Sequence, residues 1–135
     1  MEENICNWNF DTLKFKEMTN GNHMVHFGNG IMKKFDIFQT LNTTPTIANS
    51  FLNDVSDGYL PNPYHNSIHG ADVCNAVSYF LAQPEFGGKF SQLEIACTVI
   101  SALVHDIGHP GLNNAFLMAT MSTKALLCKN ISEII

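Results

Sequence analysis

Apolar residues recur along this chain at the three-and-four spacing of helices, and no stretch shows the strict alternation of a half-buried strand. Asp11 is placed to cap a short helix holding Leu13 and Phe15. From about His23 to Phe38 the apolar series is Met24, Val25, Phe27, Ile31, Met32, Phe35 and Phe38, with Gly28 and Gly30 as weak points. Thr44 followed by Pro45 is a start signal, a capping side chain and then a residue already fixed at a helical φ. Ile47, Phe51, Leu52 and Val55 then share a face, Gly58 ends the segment, and Leu60 to Tyr64 form a proline-containing turn. The next helix is expected from about Ser67 to Ala82, with Val73, Ala76, Val77, Phe80 and Leu81 on its apolar side. Pro84, Gly87 and Gly88 read as a loop. Ser91 and Glu94 form a capping box, and the helix behind them holds Leu93, Ile95, Ala96, Val99, Ile100, Ala102, Leu103 and Val104. Being apolar on nearly every side, it is expected to be central and buried. Gly108, Pro110 and Gly111 break it, and helical pieces follow at about 114–121 and 123–135. The pattern predicts an all-α fold.

Composition narrows the class. Hydrophobic residues make up 45% of 135 and charged residues 14%, which suits one small globular domain. The formal net charge is −5, and seven Lys plus Arg scattered along the chain do not build the basic patch of a nucleic-acid binder. An anionic substrate stays compatible with that balance where bound cations set the local charge. The longest apolar run, Ile95 to Val104, is far shorter than the ~20 residues a membrane-spanning helix needs. The polar, acidic N-terminus is unlike a signal peptide. Cys6, Cys74, Cys97 and Cys128 form no CxxC pair and are expected to be buried free thiols, which suits a reducing, cytoplasmic setting.

Four of the six histidines form two pairs, His65 with His69 and His105 with His109, and Asp106 follows His105 directly. An unpaired carboxylate at the end of so apolar a helix is costly unless a cation lies beside it. A metal ion with His105 as a neutral nitrogen ligand meets that need; a helix end that merely surfaces at a polar pair is the plainer alternative. His65 and His69 have the spacing of two histidines one helical turn apart, with His65 at the mouth of its helix and His69 one turn in. Asp72, on the same face, either holds His69 in place or is solvated. The glutamate-bearing zinc-protease motif, the G-x-S-x-G elbow and the phosphate loop are absent. His23 and His26 read as surface or structural histidines. Tyr64 either lines a pocket or packs under its loop, and Asn114 either orders the site or caps the next helix.

Tyr64-His65-Asn66-x-x-His69-x-x-Asp72-Val73, followed by His105-Asp106-x-x-His109-Pro110-Gly111 with Asn114 and Phe116 just beyond, resembles the two signatures of class I 3′,5′-cyclic-nucleotide phosphodiesterases. Their order and spacing fit, and Trp8, Phe10, Asp11 and the stretch from Phe51 to Tyr64 extend the likeness over roughly residues 8–132. The resemblance implies a multi-helix, HD-like catalytic domain. It implies His65 as general acid to the leaving 3′ oxygen, and His69, His105 and Asp106 as ligands of a first metal, zinc. Asp106 would bridge to a second, magnesium or manganese, with a hydroxide between the two as nucleophile. His109 would order water around the second metal, with Tyr64 and Asn114 at the substrate pocket. Gly70 stands where the family commonly has Ala, and Gly108 where many members carry a second acid. The segment from Ala125 to Ser132 fits only loosely, and the family's fourth metal ligand, purine-reading Gln and aromatic clamp have no counterpart in this sequence. Residues 1–135 are therefore expected to be the N-terminal part of one catalytic domain, with exposed apolar surface and a tendency to self-associate. Two functions follow: hydrolysis of cyclic AMP or cyclic GMP to the 5′-monophosphate, or a catalytically silent metal-binding and interaction module. A different HD metallohydrolase, such as a nucleotidase, is disfavoured by Tyr64-His65-Asn66 and Asn114.

Overall fold

The computed structural model describes residues 5–128, and among these the regular structure is entirely helical. The helices are α1 (Thr12–Met18), α2 (His23–Lys34), α3 (Ile37–Thr40), α4 (Pro45–Gly58), α5 (Ser67–Leu81), α6 (Pro84–Gly87), α7 (Gln92–Val104), α8 (Asn114–Ala119) and α9 (Thr123–Leu127). Side chains start most of them. Asp11 Oδ1 accepts from the Lys14 N–H at 2.9 Å, the Thr44 hydroxyl from the Ile47 N–H, and Ser91 and Glu94 complete the reciprocal capping box. The apolar series from His23 to Phe38 divides into α2 and α3, because Asp36 takes a left-handed conformation (φ 53°) that no helix interior accommodates.

The core forms where α5 packs on α7 and α2 packs on α4 and α5. Phe27, Met24, Ile31, Ile37, Leu52, Leu103 and Val99 are fully buried there. Gly28 sits inside α2 because Leu52 of α4 lies where a Cβ would be, so the apparent weak point is a close helix crossing. The chain before α1 is tied on by Asn75, whose Oδ1 accepts from the Cys6 N–H at 3.0 Å and whose Nδ2 donates to the Asn7 carbonyl at 2.9 Å.

Several faces differ from the sequence expectation. α5 buries Gly70, Ala71, Cys74, Asn75, Ser78 and Leu81, while Val73 and Val77 are half-buried and Phe80 is exposed. The small residues let α7 approach closely, so they take the buried seam that bulk alone assigned to their neighbours. α7 buries Ile95, Ala96, Val99, Ala102 and Leu103, yet Leu93, Cys97, Thr98 and Ser101 face outward, so the helix is not enclosed on every side. Cys97 is consequently an exposed thiol, whereas Cys6 and Cys74 are buried. Ile47 is exposed because Ala48 takes the inward position. Pro84 to Gly87 form a helical turn rather than open loop. His23 is buried and His26 exposed. The helix expected at 123–135 is cut short: α9 ends at Leu127, where Cys128 turns extended (φ −90°, ψ 134°), and residues 129–135 lie outside the described residues.

Gly70 has a packing cause. A Cβ there would collide with the Tyr59 hydroxyl, which is buried and donates to the Leu103 carbonyl at 2.9 Å, while burial pushes its pKa up to about 12. Gly70→Ala gains up to ~1 kcal/mol of helix propensity but disturbs a buried hydrogen bond worth about as much or more. Denaturant titration should show Gly70→Ala destabilised. It should also show about 1 kcal/mol of favourable coupling when Tyr59→Phe is combined with it.

Candidate metal centre

Asn66 caps α5, its Oδ1 accepting from the N–H groups of Ile68 at 2.9 Å and His69 at 3.4 Å. That start places His65 just before the helix and His69 in its first turn. The second cluster sits where α7 ends. His105 is the C-cap, and the chain turns at once, the Ile107 N–H donating to the Val104 carbonyl at 3.1 Å and the Gly108 N–H to the Gly58 carbonyl at 3.0 Å. Gly108 has φ 70°, a left-handed turn that glycine enters without strain. Because α5 packs along α7, these two ends meet.

His69, His105 and Asp106 each offer a donor atom, and the three atoms lie within 4.8 Å of one another. Asp106 Oδ2 is 3.4 Å from His69 Nε2 and 3.2 Å from His105 Nε2. Neither contact is a hydrogen bond, and Oδ2 is buried without a hydrogen-bond partner. His105 Nδ1 lies 2.9 Å from the Ala102 carbonyl, which only accepts, so Nδ1 carries a proton. In the neutral tautomer that leaves the Nε2 lone pair toward Asp106. Burial holds the His69 pKa below the ordinary imidazole value, Asp106 partly opposing and His105 and His65 lowering it further, which favours the neutral ring. Two imidazoles and a carboxylate converging on one point fit a divalent cation, and the His105 bond to a backbone carbonyl orients that ring as metal-bound histidines usually are.

Beside this triad runs an open groove of about 550 Å³ lined by His65, Asp106, His109, Gly111, Leu112, Asn113 and Asn114. The rings of His65 and His109 stack at 3.8 Å with 14° between their planes. His109 Nδ1 accepts from the Gly111 N–H at 3.0 Å, and burial, then the neighbouring His65, lowers the His109 pKa. Tyr64 is exposed; its ring tilts onto His69 at 4.5 Å and meets His65 edge-on at 5.0 Å. It therefore walls the histidines from solvent rather than packing beneath the loop.

The structure thus brings His65, His69, His105, Asp106, His109, Tyr64 and Asn114 to one place. Asp72 belongs less closely. It is exposed, shares a separate hollow with Tyr64 and His69, and makes no hydrogen bond to His69, so its charge reaches that ring only from a distance. The cap of α8 is Asn113, whose Oδ1 accepts from the Phe116 N–H at 2.8 Å, and not Asn114. Sequence reasoning passed over Asn62, which binds backbone of both clusters. Its only local sign was a polar side chain between two prolines, Pro61 and Pro63.

The family model for 3′5′-cyclic nucleotide phosphodiesterase matches residues 64–134. The chain is 31% identical over 124 residues to 3′,5′-cyclic-AMP phosphodiesterase 4 of Dictyostelium discoideum, an alignment covering 91% of this chain and 12% of that protein. It is 32% identical over 126 residues to the human high affinity cAMP-specific and IBMX-insensitive 3′,5′-cyclic phosphodiesterase 8A, covering 93% and 15%. Among solved structures, LmjPDEB1 in complex with IBMX superposes with a TM-score of 0.78 at 25% identity, covering 96% of this chain and 40% of that one. The chain spans between 12% and 15% of the length of these two curated relatives.

Proposed function

Because the chain belongs to the 3′5′-cyclic nucleotide phosphodiesterase family, we propose that its site serves metal-assisted hydrolysis of 3′,5′-cyclic nucleotides, cyclic AMP or cyclic GMP, to 5′-monophosphates. The observation that supports this reading above others is the approach of His105 Nε2 and His69 Nε2 to a buried, unbonded Asp106 oxygen. His69, His105 and Asp106 would hold zinc, and Asp106 would also serve a second cation, magnesium or manganese, with His109 ordering water near it. When bound, such cations acidify water and offset the charge of the phosphate. The chain's own residues do the rest. His65, on the groove wall, gives its proton to the 3′ oxygen as the bond from that oxygen to phosphorus breaks, so the sugar leaves as an alcohol rather than an alkoxide. Tyr64 keeps bulk water off the histidine rings, and Asn114 lines the groove in which the phosphate lies. Among the described residues no helix is long and apolar enough to cross a membrane, and four free thiols accord with a reducing cytoplasm.

A second reading is a metal-binding interaction module without turnover. It draws on the exposed Phe116, Met121, Leu126 and Leu127 around α8 and α9, apolar surface suited to association, including with another copy of the chain. Chromatography of cyclic AMP and cyclic GMP incubated with the zinc- and magnesium-loaded protein separates the two. The hydrolase reading expects the 5′-monophosphate and its loss on chelation. Stoichiometric zinc with no product identifies the silent module, and a 3′-monophosphate product rules out the proposed leaving group.

A further inference from the structure

We propose that Asn62 is a positioning residue that locks the two histidine clusters together through one side-chain amide, an inference resting on the hydrolase reading for its kinetic consequence alone. Asn62 Nδ2 donates to the His109 carbonyl at 2.7 Å and to the His65 carbonyl at 3.1 Å. The two N–H groups of one amide thus hold the backbone on either side of the His65–His109 ring stack. The rest of Asn62 is engaged as well: its own carbonyl accepts from Asn66 Nδ2 at 2.8 Å, linking it to the cap of α5. Gly111 completes the fit. It has φ 73°, and a Cβ on it would stand 2.6 Å from Asn62 Oδ1. The loop carrying Pro110 and Gly111 is therefore moulded around the amide. Asn62 does not belong to the three-donor cluster, nor does it line the groove. Its effect passes through the orientation of His65 and His109. An aspartate has the same shape but no N–H, and would set a carboxylate against two carbonyl oxygens.

The direct readout is the set of nuclear Overhauser cross-peaks between the ring protons of His65 and His109, which the 3.8 Å stack makes strong in the wild-type chain. In Asn62→Asp and Asn62→Ala, with helical circular dichroism and zinc stoichiometry retained, these cross-peaks should vanish. Gly111→Ala, which crowds the same amide, should weaken them. On cyclic nucleotide, kcat should fall by about 10- to 100-fold, the usual effect of removing a partner that orients a site residue, with KM changed little. Cross-peaks that persist in either Asn62 variant, or are missing from the folded wild type, overturn the clamp. If the wild type binds zinc but turns nothing over, the hydrolase reading fails, while the cross-peaks still decide the role of Asn62. If Asn62→Asp loses its helical signal, Asn62→Ala and Gly111→Ala carry the same decision.

Discussion

Asp106→Asn should abolish the stabilisation that zinc confers and, in chelator, leave the protein more stable than the wild type. The two effects have opposite signs because the carboxylate has opposite consequences in the two states. With zinc at one hundred times its dissociation constant, binding to the native state alone adds about 2.7 kcal/mol, several degrees in Tm for a chain of this size. Asparagine removes the anionic donor, and affinity should drop by more than the roughly 100-fold seen when an outer partner is lost. In the structure Asp106 Oδ2 is buried, unbonded, and 3.2 Å from His105 Nε2, which presents a lone pair in the neutral tautomer. An asparagine Nδ2 in that place donates a hydrogen bond to the lone pair, which relieves about 1 kcal/mol of the penalty for an unsatisfied buried group. His69→Ala makes the control: it also loses zinc, but leaves the Asp106 carboxylate where it was and should gain nothing in chelator. Thermal unfolding of the three proteins, each with zinc and with chelator, gives the test. Asp106→Asn that still gains several degrees from zinc removes Asp106 from the ligand set, and one that falls below wild type in chelator refutes the unsatisfied carboxylate.

The all-α architecture was legible because helix starts are written in single residues: Asp11, Thr44 with Pro45, and Ser91 with Glu94 each cap the helix they announce. The three converging donors could be located because two short motifs hold them all. What escaped was set by distant partners. The seam of α5 runs through Gly70, Ala71, Cys74 and Ser78 because α7 needs close approach, and apolar bulk in one helix cannot report the proximity of another. Gly70, which looked only like a departure from the family's usual Ala, is space for the hydroxyl of Tyr59, eleven positions earlier. Cys97 looked buried because its neighbours are apolar, yet its face of α7 has no cover among the described residues. Asn62 has no motif of its own, since its partners are backbone carbonyls, which every residue has.

His65→Ala should cut kcat on cyclic nucleotide by 10²- to 10⁴-fold, the contribution typical of a placed general acid, or about 3–5 kcal/mol in the barrier. Zinc content should stay at the wild-type level, because His65 is not among the three converging donors. That separation matters, since His65 lies close to His69, with ring centroids 5.8 Å apart, and a disturbed site would lower kcat by losing metal instead. Metal analysis excludes that route, and the leaving group then tests the chemistry itself. A 3′ alkoxide is a strong base and departs slowly unless protonated as it leaves, whereas a nitrophenolate departs without that help. The deficit of His65→Ala should therefore shrink to a few-fold on a p-nitrophenyl phosphodiester that fits the same groove. A deficit equally large on both substrates would mean that His65 binds the phosphate or shapes the groove through its stack on His109, and the proton would have to come from elsewhere.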